Sequence, residues 1–256
     1  MVNLPNIKLT KEEYKTLTEE EFYFEFGSES KIFRDDIYII KIFNENFGHY
    51  LATKDEIETI RENKLQKIII LNNTKGFNNK FKPLGTYSYE GKFVGYYGIY
   101  LEQSTLENLQ PVFSTEQKIH YLKKIKEKLL EFHELGIIYG DVKSNNIFID
   151  YKKDEIIFCD IDNIQIQEYP IDLMNSYAKE FVKKYGKTDK RLDSYMMNLL
   201  TIEQFIKNGH YNKVLELIQD GFIPTEVDKN NNRNLVRQMV YLTKNYSGKY
   251  LIDNMW

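Results

Sequence analysis

Residues 137–150 read IIYGDVKSNNIFID, an apolar run broken by seven small or polar-flanked positions and resumed at once. Within six positions the break holds a carboxylate (Asp141), an ammonium (Lys143) and a carboxamide (Asn146). Such groups can accept a proton, neutralise an anion and ligate a cation. A further carboxylate, Asp160, closes the apolar run IIFCD fourteen residues beyond Asn146, and Lys41 sits inside the apolar run YIIKIF. Two readings compete for the 137–150 stretch: an ordinary polar turn from helix to strand, or a reactive loop held between two buried elements.

The surrounding elements must position these groups. FYFEF and DIYIIKIF, within residues 21–43, are aromatic and β-branched and predict two strands. KDEIETIRENKLQKIIIL has helical spacing, and FKPLGTYSYEGKFVGYYGIYLE predicts a hairpin turning at Glu90–Gly91. From Ser114 the character changes. Ser114-Thr115-Glu116-Gln117 is a capping-box start, and Ile119, Leu122, Ile125, Leu129 and Phe132 then mark one buried helix face that stops at Gly136. NIFID and IIFCD predict two short strands, DSYMMNLLTIEQFI a buried helix, and residues 211–221 and 233–244 two more helices. The fold class is therefore α+β: a small β-rich lobe with one helix over residues 1–102, then a mainly helical, shortened lobe over 103–256.

Composition narrows the function classes. A net charge of −3 gives no basic field for nucleic acid, and no run of about 18 apolar residues suggests a membrane span. One cysteine, Cys159, rules out an internal disulfide framework and suits a reducing, cytoplasmic setting. That thiol reads either as a small buried hydrophobe or as a reactive group beside Asp160. The four scattered histidines form no zinc pattern.

Taken together, the motifs resemble the protein kinase superfamily. FHELGIIYGDVKSNNIFID matches its catalytic-loop pattern, IIFCDID the strand leading into its D-F-G motif, and YIIKIF its third-strand V-A-I-K. The resemblance covers roughly residues 21–206. It implies a two-lobed kinase-like fold and a serine/threonine protein kinase using ATP and Mg²⁺ on a protein substrate. By that resemblance Asp141 faces the acceptor hydroxyl, Lys143 meets the transferring phosphate, Asn146 and Asp160 hold the metal, and Lys41 meets the nucleotide. It further implies Glu62 as the helical partner of Lys41, Gly27 in the phosphate-covering loop, Leu101 as gatekeeper, and the backbone of Glu102 and Ser104 at the adenine edge. The chain departs from the pattern at Gly140, where the family has arginine, at Asp162, where it has glycine, and in its one-glycine loop with Glu29. A kinase for a small hydroxylated molecule, in the style of aminoglycoside kinases, and a nucleotide-binding pseudokinase, a binding module that keeps the kinase fold without turnover, are the alternatives.

Overall fold

The computed structural model describes residues 4–19, 25–26, 29–44, 53–206 and 250–254. Gly27 and the helices expected at 211–221 and 233–244 lie outside the described residues. The fold is mixed α/β with several sheets, and the chain divides into two compact units. The first takes in residues up to Glu102 together with Asp160–Leu173, and the second Gln103–Cys159 with Met174 onward. The segment Asp160–Leu173, which lies beyond the 102/103 division read from the sequence, thus clusters with the first unit.

The first unit is built on a six-stranded sheet in the order β1-β5-β6-β4-β3-β2. Its strands are β1 (Asn6–Lys8), β2 (Glu25–Phe26), β3 (Ser30–Asp35), β4 (Tyr38–Phe43), β5 (Gly85–Tyr89) and β6 (Lys92–Ile99). Only β1 runs parallel to its neighbour. The expected hairpin is β5–β6, turning at Glu90–Gly91. By contrast Ser30–Asp35, whose polar ends Ser30, Arg34 and Asp35 have the composition of turns, is the strand β3, which pairs along its whole length with β4.

Side chains alternate across a strand, and β4 shows what that does. Ile40 and Ile42 pack with Phe33 on one face beneath Tyr14 and Leu17 of helix α1 (Lys11–Glu19). Lys41 and Phe43 therefore point to the other face, where Phe43 packs with Phe93, Tyr96 and Ile57 and Ile68 of helix α2 (Lys54–Asn73). The alternation that builds the core thus drives Lys41 into it.

In the second unit, β7 (Ser104–Thr105), β9 (Ile147–Asp150) and β10 (Glu155–Phe158) form a sheet in the order β10-β9-β7. The short helix α3 (Leu106–Leu109) precedes α4 (Thr115–Glu134), whose capping box is made as expected: Ser114 Oγ accepts from the Gln117 amide at 3.2 Å, and Gln117 Oε1 from the Ser114 amide at 2.9 Å. Leu122, Ile125, Leu129 and Phe132 are buried, whereas Ile119 is half-buried. The strand β8 (Ile137–Ile138) then leads into the polar loop. A two-residue strand, β11 (Gln165–Ile166), belongs to the first unit. Helix α5 (Ser176–Tyr185) packs on α6 (Lys190–Ile206), which is buried on nearly every side along its described length, as its apolar sequence predicts.

Candidate functional site

The residues singled out by sequence fall into two clusters, one in each unit. In the first unit, Lys41 Nζ donates to Asp160 and, at 2.8 Å, to Asp162 Oδ1. Asp162 is fully buried; its Oδ2 accepts from Lys64 Nζ at 2.7 Å and its Oδ1 from the Tyr96 hydroxyl at 2.7 Å. Burial alone would push the Asp162 carboxyl up, but Lys41 and Lys64 outweigh it and hold it well below the usual carboxylate range. The same pairing lifts both ammonium groups, against burial, above the ordinary lysine value. Glu29 completes the cluster, with Oε2 3.4 Å from Lys64 Nζ and without a hydrogen-bond donor. Burial raises its pKa, and Lys64 only partly offsets that.

Helix α2 supplies a lysine where a glutamate was expected. Glu62 does not meet Lys41; it is exposed and accepts from Gln66 Nε2 at 2.7 Å. Glu62 and Lys64 are two residues apart, about 200° around the helix. The face carrying Ile57, Lys64, Ile68 and Leu71 is the buried one, so Glu62 must turn outward. Glu58 is also exposed and pairs with Lys92. One turn on from Lys64, Lys67 pairs with Asp172, which also accepts from Asn63 Nδ2 at 2.8 Å. Helix α2 is thus clasped to Asp160–Leu173 by two lysines and two aspartates.

In the second unit, both Asp141 oxygens are engaged. Oδ2 accepts from Asn146 Nδ2 and pairs with Lys143 Nζ, each at 2.8 Å, and Oδ1 accepts from Asn175 Nδ2 at 2.7 Å. Behind the loop, buried Asp193 of α6 accepts from the Tyr139 amide at 2.9 Å, the Gly140 amide at 2.6 Å and His133 Nε2 at 2.8 Å. Gly140 has φ 74°, a left-handed conformation that a side chain would strain. That backbone requirement, which aims the amide at Asp193, accounts for the glycine where arginine was expected.

The remaining expected residues are placed as follows. Leu101 and Glu102 end the first of the two segments that make up the first unit, and Ser104 opens β7 of the second unit. Asn146 and Asp160, expected to share a metal, belong to different units, and no group of three acidic, histidine or cysteine side chains among the described residues is arranged to hold a metal ion. Cys159 is half-buried and forms no disulfide, and its carbonyl accepts from the Tyr139 hydroxyl at 2.6 Å. Among the described residues no helix is long and apolar enough to cross a membrane. Sequence reasoning missed Lys64 and Asn175. The first was detectable from its spacing of seven residues from Ile57 and Leu71; nothing local distinguished the second from an ordinary helix cap, which it also is.

A family model described as the KaiA C-terminal domain matches residues 92–213, which is 122 of the 256 residues. The match is to a circadian clock protein. No curated protein matches the chain. The clock-domain match overturns the identification with the protein kinase superfamily, and with it the serine/threonine kinase activity, the enzyme assignment and the kinase vocabulary. The geometry supplies a physical reason for the earlier resemblance. Asp141, Lys143 and Asn146 are bonded to one another here, and Asn175 takes the remaining Asp141 oxygen, so residue types and spacing that resemble a catalytic loop also suit a polar turn with satisfied side chains.

Proposed function

We propose that the chain is a regulatory binding module that engages a protein partner and performs no phosphoryl transfer. The observation that carries this reading is the clock-domain match over residues 92–213; domains of that family typically bind other clock proteins. The satisfied state of Asp141, with three donors on its two oxygens, agrees with a structural loop. The protein partner expected from the sequence enters as a binding partner, with a cytoplasmic setting that a chain with one cysteine suits.

ATP and Mg²⁺ enter it as regulatory ligands. Within the first unit Asp160 is the member that fits a ligand: its side chain keeps 29% exposure, whereas Asp162 has none. A nucleotide phosphate would compete with Asp160 for Lys41, and the displaced carboxylate could take one position on Mg²⁺, which commonly uses one or two carboxylates together with phosphate oxygens.

The test has two arms. Light scattering of the chain mixed with purified clock proteins should show a stoichiometric complex, while labelled ATP with Mg²⁺ should transfer no phosphate to protein or small-molecule acceptors. Turnover that Asp141→Asn abolishes, without complex formation, would overturn the reading.

A further inference from the structure

Helix α5, the turn after it and the first residues of α6 carry a feature that neither the buried ion cluster nor the Asp141 loop uses. Residues 179–191 hold six cations, Lys179, Lys183, Lys184, Lys187, Lys190 and Arg191, against two acids, Glu180 and Asp189. That is a net +4 in a chain of net −3, so all the other residues sum to −7. The five lysines are exposed. Lys179 and Lys183 stand one turn apart, a like-charge spacing that weakens a helix.

The strip is firmly mounted. Ala178 and Phe181 bury the opposite side of α5, and Phe181 packs against Tyr195 of α6 with ring centroids 6.0 Å apart. Tyr185 lies beneath two of the cations, 5.2 Å from Lys184 Nζ and 4.7 Å from Arg191 Cζ. Asp189 is engaged by Arg191, with Oδ1 accepting from Nε at 2.9 Å and Oδ2 from Nη2 at 2.7 Å. Lys179, Lys183 and Lys184 are therefore carried on a packed helix and Lys187 on the short turn between α5 and α6, which lowers the ordering cost of binding.

We propose that this strip docks an acidic segment of a protein partner; the assignment rests on the reading of the chain as a binding module and names its partner's chemistry. Charge complementarity selects the occupant. The patch spans about 15 Å of helix, the reach of a few extended residues. A nucleic acid, whose charge runs on past the patch, would meet the −7 of the rest of the chain.

The probe is a fluorescent glutamate-rich peptide titrated with the whole chain at low salt. The triple variant Lys179→Glu, Lys183→Glu, Lys187→Glu should weaken binding by about tenfold or more, and added salt should weaken the wild type in the same direction. The control Lys152→Glu, Lys153→Glu, on the exposed β9–β10 turn, should change it by less than about twofold. If the glutamate triple variant melts early, the corresponding Lys→Gln triple gives the same comparison on a gentler background. Equal loss in control and strip variants, no loss in the strip variants, or tighter binding of an oligonucleotide than of the peptide would each overturn the proposal. Phosphate transfer to the bound peptide would instead sink the non-catalytic reading while leaving the docking measurement intact.

Discussion

At the residue scale the first unit turns on a buried aspartate shared by two buried lysines. Removing one member leaves charge without a counterion inside the protein, a change that typically costs about 3–5 kcal/mol. Lys64→Met should therefore lower the urea stability by that order although methionine fits the apolar face of α2; a loss under about 1 kcal/mol would show that Lys41 alone satisfies Asp162. Glu29 makes the opposite prediction. Its folded-state pKa is raised, so the protonated form contributes fully below the unfolded value of about 4.3 and that contribution is lost as pH rises through the folded value. At neutral pH the ionised Glu29 is a net cost. Glu29→Gln should stabilise the protein at pH 7, with the gain shrinking as pH falls toward about 4. Destabilisation at pH 7 would mean that the 3.4 Å approach to Lys64 outweighs burial.

At the scale of elements, the closest packing is strand on strand. A Cβ at Gly95 of β6 would lie 2.2 Å from the carbonyl oxygen of Lys41 and 2.9 Å from Ile42 Cδ1, so β4 and β6 could not keep their register. Gly95→Ala should cost about 3 kcal/mol or more, at the disruptive end for a single substitution. Ser114→Ala, which removes the α4 cap, should cost about 1 kcal/mol. Chemical denaturation of both variants checks the order, and a milder effect at Gly95 would place β6 farther from β4 than the structure does. These two sites also mark what the sequence disclosed. The α4 cap and face, the β5–β6 turn and the apolar α6 were legible because each depends on neighbours within about four residues. Strand β3 was not, because Ser30, Arg34 and Asp35 read as turn residues until β4 is beside them. Glu62 was misplaced for a related reason: a lysine in helical phase was counted as solvent-facing, and only Asp162, 98 residues later, gives Lys64 cause to be buried. The polar loop was correctly located between two apolar runs, but its spacing could not distinguish groups poised for a substrate from groups bonded to one another.

For the molecule as a whole, the most consequential feature is that Asp160–Leu173 belongs to the first unit. Residues 1–102 expressed alone lack both aspartates that pair with Lys41, the one that pairs with Lys67, and Leu173 of the core cluster. That fragment should show no cooperative unfolding transition, which circular dichroism in urea would check; a sharp transition would mean that the sheet and α2 hold without the clasp. The same connectivity has a meaning during synthesis. As the chain leaves the ribosome, the sheet and α2 emerge first with their lysines uncompensated, and they must wait about seventy further residues for Asp172. At roughly 5–20 residues per second that interval is several seconds. Translation speed through residues 103–173 therefore sets how long the nascent first unit is exposed to proteases and chaperones, so synonymous codons there should alter yield without changing any contact in the finished protein.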